Sequence, residues 1–172
     1  MADGVWGQGA WLLAFLVVQR LVELLLARSN TRRLRAAGAV EIGAGHYPLI
    51  ILLHGSWLVA LIVYGHDRGV NAYWLVAFVL LQAARVWVIG SLGRRWTTRV
   101  IVLPGRELAA VGPYRYVQHP NYIVVALEIA VVPLALGLPL VALIFSIVNV
   151  AMLAYRISVE NRALAWATQA KI

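Results

Sequence analysis

The chain has 172 residues, of which 62% are hydrophobic and 13% charged, with a mean hydropathy of +0.80. A soluble domain is roughly 45–50% apolar and about 25% charged, and one small core in a chain this short leaves much surface to cover, so the composition excludes an ordinary soluble domain and points to a single domain dissolved in lipid. The absence of cysteine excludes disulfides, thiolate metal sites and cysteine nucleophiles, and the net charge of +8 comes from arginines between apolar runs, which suits anionic lipid headgroups and not nucleic acid.

A helix needs roughly 20 apolar residues to cross a bilayer core. The first predicted span covers residues 5–27. Only Asp3 is charged before it, and the apolar run is longer than the hydrophobic region of a signal peptide, so it reads as a retained helix. A basic stretch with Arg28, Arg32, Arg33 and Arg35 follows. The second span, residues 48–64, opens on Pro48, whose missing N–H costs nothing at a helix start. The third covers residues 70–89. Residues 91–121 are polar, basic and punctuated by Gly93, Pro104, Gly105, Gly112, Pro113 and Pro120. A connection this long is usually functional or disordered, and its aromatics Trp96, Tyr114 and Tyr116 favour order. The apolar run from Tyr122 to Tyr155 breaks at Gly137 and Pro139, which predicts a helical hairpin with spans at 122–136 and 139–155, each short for a straight crossing. Residues 156–172 read as a helical tail continuing from the last span.

The expected fold is therefore an all-α integral membrane protein of about five transmembrane helices, one membrane domain over residues 1–172. Five spans place the basic stretch after span one, the segment 91–121 and the tail on one side, and leave only Arg68 on the other. Four or six spans would divide the basic segments. The bias puts the three regions and the C-terminus in the cytoplasm and the N-terminus outside.

Ionisable residues inside spans are costly and suggest function by default. Arg20 and Glu23 are one helical turn apart and can form a structural ion pair. Arg85 and Glu128 can pair with each other or line a polar cavity. His54 reads as a hydrogen-bonded interior histidine. No carboxylate joins His46 and His54 at ligand spacing, so no metal site is expected. The densest local signal is Gly112-Pro113-Tyr114-Arg115-Tyr116-Val117-Gln118-His119-Pro120-Asn121-Tyr122. A turn, flat aromatic faces, an imidazole and a helix start that attracts anions suit a zwitterionic aromatic cofactor at the membrane surface. An interfacial aromatic belt with a helix-start proline fits the same residues. Beyond the last span, Arg156 and Glu160 share one helix face at i, i+4. Alone, that pair is equally a surface ion pair of little energetic weight.

Taken together, these segments resemble the isoprenylcysteine carboxyl methyltransferase family. The likeness rests on Gly112-Pro113-Tyr114-Arg115-Tyr116, then His119-Pro120-Asn121-Tyr122, a helical hairpin, and Arg156-Ile157 with Glu160. Arg85-Val86-Trp87 and residues 91–98 are similar to bacterial members, which implies a bacterial cell membrane. The resemblance implies S-adenosylmethionine as cofactor, held by Tyr114, His119, Pro120, Asn121, Tyr122 and Glu160, with Arg106, Glu107, Leu108 and Ala109 as a further wall. It implies that Arg156 faces the substrate as the catalytic arginine. The chain departs from the family at Asn161, where a second Glu is common, and at Gln118, where an Arg is common.

The expected reaction is methyl transfer to an oxygen of a lipophilic acceptor that enters from the bilayer. A small alkylated phenol, resorcinol or pyrone is preferred, and a prenylcysteine carboxylate is the other option. Membrane lipids are the remaining expected partners, with no nucleic acid and no obligate protein partner. Two other classes fit less well. One is an NADPH-dependent reductase of sterol-reductase type, with Arg94, Arg95 and Arg99 for a 2′-phosphate; the other is a non-catalytic membrane scaffold.

Overall fold

The computed structural model describes residues 7–104 and 110–169. Five α-helices carry the fold: α1 (Gln8–Ala36), α2 (Tyr47–Gly65), α3 (Ala72–Leu92), α4 (Pro120–Ala135) and α5 (Pro139–Gln169). Two short strands, β1 (Val40–Glu41) and β2 (Ile101–Val102), pair antiparallel with Val40 opposite Val102. The all-α membrane expectation holds: α1, α2, α3 and α5 are each long and apolar enough to cross a bilayer. Their outward faces carry large apolar side chains such as Leu25, Leu52, Leu80 and Leu140, which only a lipid environment accommodates at this density.

Helix α4 has 16 residues, a rise of about 24 Å against a hydrocarbon core of about 30 Å. It packs between α3 and α5 and buries Tyr122, Val124, Glu128, Ile129, Val131 and Val132. A helix covered by its neighbours need not match the lipid thickness. Its partner in the predicted hairpin is not short. Helix α5 runs unbroken for 31 residues, so the last span and the tail are one rod. The turn between them uses Gly137 at φ +68°, a left-handed conformation that side chains rarely adopt.

Helix α1 also exceeds its predicted span and carries the basic stretch as its last turns, through Arg28, Arg32, Arg33 and Arg35. The reason is tertiary. Asn30, 2% exposed, donates from Nδ2 to the carbonyls of Gly93 at 3.1 Å and Trp96 at 2.8 Å, pinning the helix to the segment after α3. At α3, Asn71 caps the helix by accepting from the backbone N–H groups of Tyr73 and Trp74.

At the end of the bundle where α2 and α3 join, Leu12, Leu16, Trp57, Leu61, Phe78, Ile129 and Val132 form the main core. At the opposite end the three basic regions gather. The β-ribbon packs on α5 through Val100, Val102 and Ala163, and Glu41 receives hydrogen bonds from Arg35 and Arg99.

Candidate functional site

Gly112 starts the local geometry. Its φ is +53°, and a Cβ there would lie 2.0 Å from Ser91 Oγ, so the chain crosses α3 too closely for any side chain. The following 3-10 turn, Gly112–Arg115, buries Pro113 and directs Tyr114 into a cavity. Burial pushes the Tyr114 hydroxyl above its ordinary value. Tyr116, two residues on, is 80% exposed. Alternate aromatics of this motif thus face opposite ways: Tyr114 inward and Tyr116 to the surroundings.

Pro120 begins α4 and His119 is its N-cap residue. One turn into the helix region, Tyr122 meets the face of α5 that carries Arg156 and Glu160. Arg156 Nε donates to the Tyr122 hydroxyl at 2.7 Å, and that hydroxyl donates to Glu160 Oε2. Arg156 Nη2 donates to the Thr98 carbonyl at 2.7 Å. The His119 ring stacks on Tyr122 with centroids 5.3 Å apart. Its Nδ1 lies 3.6 Å from Glu160 Oε1, and its Nε2 lies 3.2 Å from Asn161 Oδ1. Both ring nitrogens therefore face acceptor oxygens, which suits the doubly protonated imidazolium. The interaction with Glu160 raises the His119 pKa against the opposing effect of burial. Gln118 Nε2 also donates to Asn161 Oδ1, at 3.2 Å. Gln118 and Asn161, the two positions at which the motif departs from the pattern it resembles, are thus in contact with each other.

Two cavities meet at these residues. One, of about 130 Å³, is polar and includes Tyr114, His119 and Glu160 in its lining. The other, of about 290 Å³, is mostly apolar and runs between α1, α2, α4 and α5, with Ile50, Leu58, Val125 and Met152 on its walls. Ile51, 55% exposed, lines it and so brings it to the outer apolar surface. Trp96, Thr97, Asn121, Tyr122 and Arg156 line both cavities. At this junction Trp96 Nε1 and Asn121 Oδ1 are buried with no hydrogen-bond partner among the described residues, so each has capacity for a ligand.

The structure brings together Tyr114, His119, Asn121, Tyr122, Arg156 and Glu160. Pro120 is buried in the helix start behind them. Arg106, Glu107, Leu108 and Ala109 lie outside the described residues. Sequence reasoning missed Thr98, whose carbonyl seats Arg156, and Asn30, which seats the segment containing it. It named Trp96 as an aromatic but not as the junction between cavities. Arg99, suggested for a 2′-phosphate, is committed elsewhere: Nη1 donates to Glu41 Oε1 at 2.5 Å, and its guanidinium lies 4.0 Å from the centre of the Tyr47 ring. Burial opposes ionisation of Glu41, but the hydrogen bonds from Arg99 and Arg35 outweigh it and hold the carboxyl below its usual range. Tyr47 Oη in turn lies 3.0 Å from Thr98 Oγ1.

The ionisable residues inside the spans form one network. Glu128 is 1% exposed and accepts from Arg85 Nε at 2.9 Å, Arg20 Nη2 at 2.6 Å and Gln82 Nε2 at 2.7 Å. Glu23 Oε2 accepts from Arg20 Nη1 at 2.7 Å and Arg85 Nη1 at 3.2 Å. Two cations and two anions neutralise each other across α1, α3 and α4, as the sequence pairs Arg20 with Glu23 and Arg85 with Glu128 suggest. His54 Nδ1 lies 2.9 Å from its own helix at the Ile50 carbonyl. Among the described residues no group of three or more His, Asp or Glu side chains is arranged to hold a metal ion.

Three comparisons bear on this geometry. The profile of the isoprenylcysteine carboxyl methyltransferase (ICMT) family matches residues 74–166. The uncharacterized protein YpbQ of Bacillus subtilis (strain 168) is 42% identical over 160 residues, which cover 90% of this chain and 95% of that protein. An uncharacterized protein of Haemophilus influenzae is 24% identical over 162 residues, covering 88% and 91% of the two chains. No solved structure is a significant match.

Proposed function

The chain belongs to the isoprenylcysteine carboxyl methyltransferase family of membrane methyltransferases, and from that premise we propose that it transfers a methyl group from S-adenosylmethionine to an oxygen of a lipophilic acceptor at the cytoplasmic face of the membrane. The observation that carries the reading is the junction: a polar cavity and an apolar cavity share Trp96, Thr97, Asn121, Tyr122 and Arg156.

The donor set of the polar cavity fits the cofactor. Glu160 and Asn121 Oδ1 are acceptors for an ammonium or ribose hydroxyls, Trp96 Nε1–H is a donor for a carboxylate, and Tyr114 offers an aromatic face. S-adenosylmethionine supplies, when bound, a methyl group on a sulfonium whose leaving group is a neutral thioether. The protein's task is then positioning and exclusion of water. Arg156, 8% exposed and fixed by Tyr122 and Thr98, holds an anionic acceptor oxygen by charge-assisted hydrogen bonds at the junction. A carboxylate arrives ionised at neutral pH, whereas a phenol has its pKa lowered by the adjacent cation. The apolar cavity, open at Ile51, takes the hydrocarbon part and admits it sideways from lipid. The acceptor preferred here is a small alkylated phenol, resorcinol or pyrone, with a prenylcysteine carboxylate second.

Calorimetry of the purified chain with S-adenosylmethionine tests the cofactor, and labelled cofactor added to membrane extracts tests the acceptor. Arg156→Ala is expected to lower methyl transfer by about a hundredfold or more while leaving cofactor affinity nearly unchanged, whereas Glu160→Ala weakens cofactor binding. Tight NADPH binding without S-adenosylmethionine binding would overturn the reading. Labelling of prenylcysteine and no small lipid would overturn the acceptor preference.

A further inference from the structure

The apolar cavity contains a polar group that the transfer reaction does not use. Asn149 lies on α5 in its wall and is 1% exposed. Neither Oδ1 nor Nδ2 has a hydrogen-bond partner among the described residues. A primary amide offers two donors and an acceptor, and leaving them unpaired in an apolar setting at membrane depth is costly. Asn149 precedes Arg156 by seven residues, two helical turns, so both face the same side about 10 Å apart along the axis. His54, from α2, lines the same cavity. Its Nδ1 lies 2.9 Å from the Ile50 carbonyl, and the neutral tautomer that donates there keeps Nε2 as an acceptor.

We propose that the apolar cavity is a subsite for a long-chain amphiphile carrying a second polar group, a hydroxyl about 10 Å from the oxygen that receives the methyl group, with Asn149 as the specificity-determining residue. The identity of the amphiphile as methyl acceptor rests on the methyl-transfer reading. The hydroxyl donates to Asn149 Oδ1 or His54 Nε2 and accepts from Asn149 Nδ2. A plain hydrocarbon chain leaves the amide unpaired, so it is disfavoured despite the apolar walls. The site therefore selects by a polar contact within the chain in addition to the group that reacts, a stricter filter than length alone.

The test uses a radiolabelled saturated fatty acid and the same acid bearing one mid-chain hydroxyl, in equilibrium binding to the detergent-solubilised full chain. The hydroxylated acid is expected to bind about three- to tenfold more tightly, the range one hydrogen bond supports. Asn149→Leu is expected to abolish that preference while binding the plain acid at least as tightly as the wild type does, since no amide is then left unpaired. If that variant does not fold, Asn149→Ala carries the same expectation. Equal affinities in the wild type, failure of both acids to bind, or a preference that survives the substitution each overturns the proposal. S-adenosylmethionine calorimetry on the same samples separates the two readings. Cofactor binding without a hydroxyl preference upholds methyl transfer and removes the subsite; a preference dependent on Asn149 without cofactor binding does the reverse.

Discussion

Tyr122 is held between opposite charges: its hydroxyl accepts from Arg156 and donates to Glu160. His119 stacks on the ring and faces the same carboxylate. These contacts make the charge state of His119 a switch for how firmly α4 is tied to the end of α5. Its pKa is raised in the folded protein, chiefly by Glu160. The contribution to stability is therefore full below the ordinary imidazole value of about 6.5 and is lost as pH rises through the higher folded value. The difference in melting temperature between wild type and His119→Ala is expected to be largest near about pH 6 and to shrink as pH rises through the raised folded value. A difference that stays flat as pH rises from about 6, measured by thermal unfolding in detergent, would show that the charge of the imidazole does not tie α4 to α5.

At the scale of elements, the polar segment after α3 is positioned by parts of the chain remote in sequence. Asn30 of α1 donates to two of its carbonyls, Tyr47 at the start of α2 meets Thr98, and β2 pairs with β1. The segment thus becomes a fixed wall between the cavities. Asn30→Ala leaves the Gly93 and Trp96 carbonyls unpaired and is expected to cost about 1–3 kcal/mol of stability. Because the same carbonyl belongs to Trp96, cofactor affinity should fall as well. Unchanged S-adenosylmethionine affinity in a folded Asn30→Ala protein would mean that the wall holds its place without α1.

Across the whole molecule, the buried charge network joins α1, α3 and α4 near the apolar cavity, which Arg20, Glu23 and Arg85 also line. It is neutral overall, so its cost lies in desolvation and its worth in fixing how the helices meet. Removing one member is the damaging change. Glu128→Ala leaves Arg85, 3% exposed, and Arg20 to share the single carboxylate of Glu23, one buried positive charge in excess, and is expected to destabilise the protein by about 3–5 kcal/mol. Glu128→Gln keeps part of the hydrogen bonding and should cost less. A Glu128→Ala protein that melts as the wild type does would show that water or lipid headgroups replace the carboxylate.

Composition and spacing were enough to reveal a helical membrane protein, because lipid demands long apolar runs and allows few other backbone solutions. Pro48, Gly137 and Pro120 marked element ends, since each acts on its own backbone. The motif residues His119, Tyr122, Arg156 and Glu160 were legible as two local patterns at helix ends. Their meeting was not, since it depends on α4 folding back along α5. The continuation of α5 into the tail was legible, but the length of α1 was misjudged at its polar end, where contacts from other segments and not hydropathy carry the helix onward. Asn30, Thr98 and the unpaired Asn149 acquire roles only through what faces them. A side chain's type is written in the chain, but its partners are chosen by packing, and the joined cavities exist only once five helices and the ribbon are assembled.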